Sequence, residues 1–164
     1  MYKRQIQPNE PKPVNESIKA QILSPLMEFF FDTTRTIIFM SQNNVFSKYP
    51  NIKWIVPHSG ALLPVIAQRV NIGNKMFNVE NVPDDIEQVM QSLYFDLAGM
   101  VLPHQLPTLL KMVDENKIVY GADAPYTTDQ VIKRLAKDIE STDLLTEEQK
   151  EKFLHRNASQ LLGF

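Results

Sequence analysis

The chain has 164 residues, 43% hydrophobic and 22% charged, with a net charge of −2, which is enough for one domain with a sizeable core. So even a charge balance excludes the basic footprint of a nucleic-acid or anionic-membrane binder, and the lack of cysteine excludes disulfides and thiolate metal sites. No apolar run approaches the ~20 residues of a bilayer span, and the opening MYKRQIQPNEPKPVNE lacks the apolar stretch of a signal peptide, so a cytoplasmic protein is expected.

Residues 1–21 read as an irregular segment, with a possible short strand in YKRQIQ and a linker over 8–16 around Pro8, Pro11 and Pro13. From Ser24 to Tyr49 the pattern is helical, with Ser24 as N-cap, Pro25 in the first helical position and Pro50 as the stop. IKWIVP (52–57) is apolar and rich in β-branched residues, at strand length. ALLPVIAQRVNIGNKM reads as a helix with Pro64 in its first turns. Asn81 to Asp85 is a break, and DDIEQVMQSL a short helix with acids at its N-terminus. LYFDLAG (93–99) is a strand, PHQLPTLLKMVDE (103–115) a helix and KIVYGAD (117–123) a strand. TTDQVIKRLAKDIES (127–141) is a helix capped by Thr127 or Thr128. The closing segment opens on a capping box, Thr146 with Gln149. Strands alternating with helices in this way predict parallel strands joined by helical crossovers, in a single domain over 1–164.

In such architectures functional side chains gather at the C-terminal ends of strands. His58 and Asp123 stand at two such ends, and a metal or a water can be shared between residues of these types. Each also has an ordinary reading, a hydrogen-bonded histidine and an N-cap aspartate. Asp96, inside an apolar strand, is either a paired core acid or a residue facing a barrel mouth. His104 and His155 are expected at the surface or in structural roles. The Phe29–Phe31 triplet and the methionines at 27, 40, 76, 90, 100 and 112 are expected to pack in the core. Arg35 and Arg69 are solvated or salt-bridged helix residues, or clamps for a carboxylate.

Taken in order, SPLMEFFFDTTRTI, FSKYPNIKWIVPHSGALLPVIAQRV, LYFDLAG, KIVYGADAPY and NASQLLGF cover nearly all of 22–164. With them the chain resembles the C-terminal half of the amidohydrolase-related family typified by aminocarboxymuconate-semialdehyde decarboxylase. The resemblance implies the second half of a (β/α)8 TIM barrel, about four parallel strands alternating with helices. It implies a metal-dependent hydrolase or decarboxylase acting on a small carboxylic acid, with a divalent metal, usually zinc. His58 would be the imidazole beside a metal-bound water, Asp123 a metal ligand, and Arg69, eleven residues after His58, the group that reaches the substrate carboxylate from a neighbouring subunit. Pro64 matches the proline of the HxGGxxP signature, and Ala61 stands where a second glycine is common.

Two family ligands have no counterpart. The histidines are at 58, 104 and 155 only, so the His-x-His pair of the first strand is missing, and Gln7 occupies the place of a further ligand histidine. A full barrel takes about 250 residues, and half of one leaves two strand edges open. The partner expected is therefore a second copy of the chain or a complementing N-terminal half-barrel. The isolated chain is expected to be weakly active or inactive. The alternative is a non-catalytic remnant, or a binding or oligomerisation module without the metal site.

Overall fold

The computed structural model describes residues 2–9, 23–77 and 85–164. Its framework is a four-stranded sheet in the order β1–β2–β3–β4, made of β1 Tyr2–Gln5, β2 Ile52–Val56, β3 Tyr94–Asp96 and β4 Ile118–Val119. Every pairing is parallel. Helices fill the crossovers: α1 Ser24–Gln42 and α2 Val45–Lys48 before β2, α3 Leu63–Met76 and α4 Ile86–Ser92 before β3, and α5 Gln105–Leu109 before β4. After β4 come α6 Asp129–Ser141, α7 Glu147–Glu151, a π-helical stretch Lys152–Arg156 and α8 Asn157–Leu162. This is the expected half-barrel, and the doubtful first strand is present as β1.

Register sorts the strand residues into two faces. Val56 pairs with Phe95 and Phe95 with Ile118, and none of the three has measurable exposure. Burying each such side chain is worth roughly 1.5–3 kcal/mol, and together they form one row of the core under the helices. Because side chains alternate along a strand, Asp96 falls on the opposite, inner face. Asn157 ties the C-terminal helices to the sheet, its amide donating to the carbonyls of Glu115 and Ile118 at 2.8 and 2.7 Å. β1 and β4 are the sheet's two edges; among the described residues neither pairs on its outer side.

Several elements differ from expectation. The long first helix is two: Asn44 adopts a left-handed φ of 58°, which asparagine tolerates, and the chain turns there. Ser24 is not the N-cap; Leu23 holds that position, and Ser24 and Pro25 open the helix. The 103–115 helix shrinks to α5, because past Leu109 the chain closes in tighter turns, Met112 N–H to Leu109 C=O at 2.9 Å. The 117–123 strand shrinks to Ile118–Val119, so Asp123 lies in the loop beyond β4. Thr128 is the N-cap of α6 without a side-chain bond, whereas the Thr146–Gln149 capping box forms in both directions. Phe31, Met76 and Met100, expected to pack inside, are exposed, while Met90 is fully buried. The 81–85 break, apart from Asp85, and most of the 8–16 linker lie outside the described residues. Among the described residues no helix is long and apolar enough to cross a membrane.

Candidate functional site

β2 ends at Val56, and Pro57 leads into a turn in which His58, Ser59, Gly60 and Ala61 all have positive φ, at 54°, 50°, 82° and 54°. Left-handed backbone costs an L-residue roughly 1–2 kcal/mol, so a run of this kind persists only where its surroundings impose it. Several bonds do so. The His58 N–H donates to Asp96 Oδ1 at 2.9 Å, and the Ser59 hydroxyl donates to the Asp96 carbonyl at 3.5 Å. The Gln105 side-chain amide donates to the carbonyls of His58 and Ala61. The Leu62 N–H donates to the Thr34 hydroxyl at 3.1 Å. Glycine suits position 60, at φ 82°, where a Cβ would stand 3.0 Å from the Phe95 ring. The turn delivers the His58 imidazole to a place beside Phe30, ring centroids 5.6 Å apart, and against Gly99, where a Cβ would lie 3.5 Å from His58 Cδ2. Gly99 to Leu102 continue into an apolar groove of about 440 Å³ against Val131, Leu135 and Ile139 of α6.

Asp96 is 3% exposed. Besides the His58 N–H, its carboxylate accepts from the Ala98 N–H at 3.1 Å and the Gln5 amide at 2.8 Å. Burial pushes its pKa above the ordinary carboxylate value; the amides of Ala98 and His58, the His58 charge and Gln5 pull the other way. Gly121 makes room for it, since a Cβ there would come within 2.9 Å of Asp96 Cβ. Asp96 is thus a buried acid satisfied by hydrogen bonds, on the inner face of the sheet.

The structure places the other sequence-named residues apart from this cluster. Asp123, with φ 55°, accepts from the Thr127 hydroxyl at 3.3 Å, and no hydrogen bond among the described residues joins it to His58. Arg69 is exposed on α3, about 9 Å along the helix axis from Leu63, and makes no ion pair with another described residue. Arg35 is exposed and lies 5.7 Å over the Phe31 ring. His104 and His155 are exposed. Gln7 is exposed beyond β1, and it is Gln5 whose side chain reaches the inner face.

The metal that the resemblance implies meets an incomplete donor set. Among the described residues no three histidine, aspartate or glutamate side chains stand close enough to hold an ion. A catalytic zinc takes three protein ligands, so Asp123 and His58 do not fit such a site by themselves. Gln105 was not legible as part of the site. It is an ordinary glutamine near a helix start, and only its place between Leu102 and Leu106 in a proline-rich apolar run sets it apart.

The amidohydrolase family model matches residues 29–164. Decarboxylase macB of Penicillium terrestre is 27% identical over 135 residues, covering 77% of this chain and 37% of the relative. Decarboxylase orsB of Emericella nidulans is 29% identical, covering 72% of this chain and 36% of the relative. A crystal structure of amidohydrolase II superposes with a TM-score of 0.91 at 39% identity, over 99% of this chain and 52% of that one. The fold is also that of a Polaromonas dihydroxybenzoic acid decarboxylase with bound manganese and 2-nitroresorcinol, with a TM-score of 0.80 at 21% identity over 97% and 49% of the two chains. The chain spans about half the length of these structures and little more than a third of the curated relatives. A family match from residue 29 to the C-terminus, on a sheet that supplies one half of such a barrel, shows that this chain belongs to the amidohydrolase family.

Proposed function

We propose that the chain contributes the His58 side of a decarboxylase site for a small carboxylic acid, a site completed by residues from elsewhere. The observation that carries this reading is the left-handed His58–Ala61 turn at the end of β2. Strain of this kind, held by a buried carboxylate and a glutamine, gathers at functional positions, and this one sits at the strand end where barrel enzymes do their chemistry. Relatives named as decarboxylases favour loss of carbon dioxide over hydrolysis.

The roles follow from the side chains. When the carbon–carbon bond to the carboxylate breaks, its electron pair stays on the substrate carbon, and that carbon must take a proton. An imidazole changes charge near neutral pH and can deliver it. Arg69 is suited to hold the carboxylate by two parallel hydrogen bonds. Its exposure on α3 favours delivery into the site of a second copy rather than into its own. A divalent metal, zinc by the resemblance and manganese in the Polaromonas relative, would supply charge stabilisation. Asp123 is one donor for it, and the remaining donors must come from another chain or another segment.

The test is carbon dioxide release from 2,6-dihydroxybenzoate with micromolar manganese or zinc, on the parent and two variants. The parent alone is expected to turn over weakly. His58→Ala should lower its rate by roughly 100-fold or more while sparing the metal taken up with a complementing half-barrel, and Asp123→Ala should abolish that uptake. Two variants that behave as the parent in a working assay would overturn the assignment. A binding module without metal is the second reading, favoured by the missing donor cluster; carboxylate binding with no turnover and no metal would support it.

A further inference from the structure

We propose that Asp96 is the positioning residue for His58, and that with Gln105 it clamps the backbone on either side of the His58 Cα. The inference rests on the reading that His58 handles the proton. Neither clamp residue is asked to touch substrate.

The geometry is that of an acceptor on one face and a donor on the other. The His58 N–H meets Asp96 Oδ1 at 2.9 Å, and the His58 carbonyl receives the Gln105 amide. The two peptide groups that flank the His58 Cα are thus each gripped, the one before it at its N–H and the one after it at its C=O, which holds the φ of 54° at His58 and the direction of the bond that carries the imidazole. Asp96 suits this task in its ionised form. Oδ1 already receives two N–H groups, from His58 and Ala98, and Oδ2 receives the Gln5 amide. Every neighbour is a donor, and an acceptor-only carboxylate satisfies them all.

The fold does not need a charge at this position. Phe95 and Leu97 on either side are buried and apolar, and a buried carboxylate is costly to maintain. The rest of the sheet is nevertheless shaped around it. Gly121, two residues beyond β4, leaves the space that a Cβ would take from Asp96, and Gln5 of β1 reaches across β2 to bond it. Asp96 of β3 and Gln105 of α5 therefore hold the backbone that carries the histidine, while Gln5 and Gly121 fit around Asp96 itself.

The test is NMR on the full chain, with no substrate and no turnover required. Two signals are followed: exchange of the His58 and Ala98 amides, and the imidazole proton shifts of His58, which report its place beside the Phe30 ring. In Asp96→Ala both amides should exchange about tenfold faster or more, and the imidazole shifts should move to those of a free histidine. Asp96→Asn should keep the parent's values, because the asparagine oxygen can face both amides while the Gln5 amide turns its oxygen towards the new NH₂ group. Gln105→Ala covers the case in which Asp96→Ala does not fold; it should move the imidazole shifts while the remaining amides keep their protection. A folded Asp96→Ala with unchanged His58 signals would overturn the proposal, as would an Asp96→Asn that loses them as fully as alanine does. So would unchanged imidazole shifts in Gln105→Ala. A loss of turnover in His58→Ala beside any of these results would leave the His58 assignment standing and remove only the clamp.

Discussion

Four consecutive residues at positive φ, with glycine at one of them only, leave strain that a single substitution can relieve. Ala61 sits at φ 54°, ψ −117°, outside the left-handed helical well that a non-glycine residue can use. Releasing that strain is worth about 1–3 kcal/mol, against roughly 0.5–1 kcal/mol for glycine's freedom in the unfolded chain. Ala61→Gly should therefore raise stability by about 1 kcal/mol, read as a melting temperature higher by ~2–4 °C; a lower one would contradict it. Asp96 makes a second prediction. Its pKa is raised by burial, so the unfolded chain gives up this proton at lower pH than the folded chain does. Stability from this group is greatest below its ordinary pKa and falls as pH rises, until the folded carboxyl has ionised as well. Urea unfolding should show Asp96→Asn gaining on the parent as the pH rises above about 4, and a constant difference would contradict the direction. Both residues were visible in the sequence, Ala61 as a missing glycine and Asp96 as an acid in an apolar strand. Their backbone angles and donors were not, because these depend on Gln105 and Gly121, 44 and 60 residues further along the chain from Ala61.

The α3 helix carries a surface that its local sequence did not separate from core. Val65, Ile72 and Met76 are 73%, 50% and 71% exposed, and with Arg69 they stand at spacings of four, three and four residues. That is the seam by which two helices pack against each other, with the arginine inside it. If Arg69 serves a second copy, this seam is where the copies meet. Light scattering at tens of micromolar should then find a dimer that Ile72→Asp dissociates without loss of helix signal; a parent that stays monomeric would contradict it. Strand β2 and helix α3 were legible because their apolar periods are long and their ends are marked by prolines. The split of α1 at Asn44, the shortening of α5 and the two-residue β4 were not, since each depends on where the chain must turn to meet the sheet rather than on local preference.

The alternation of strand and helix was enough to give the half-barrel, because parallel strands of this length admit few other connections. The site was legible only in part. His58 was singled out from its place at a strand end, and the hydrogen bonds its backbone makes to Asp96 and Gln105 are not visible in local sequence. Under the proposed reading, the two open edges, β1 and β4, and the lack of a three-ligand cluster among the described residues belong together: one half of a barrel would build the histidine turn by itself, but not a metal cage. That division is testable by counting metal. The purified chain is equilibrated with micromolar zinc or manganese, freed of unbound ion, and its metal content measured per chain. A content far below one ion per chain, rising only when a complementing half-barrel is added, is the expected result; one firmly held ion per isolated chain would contradict it.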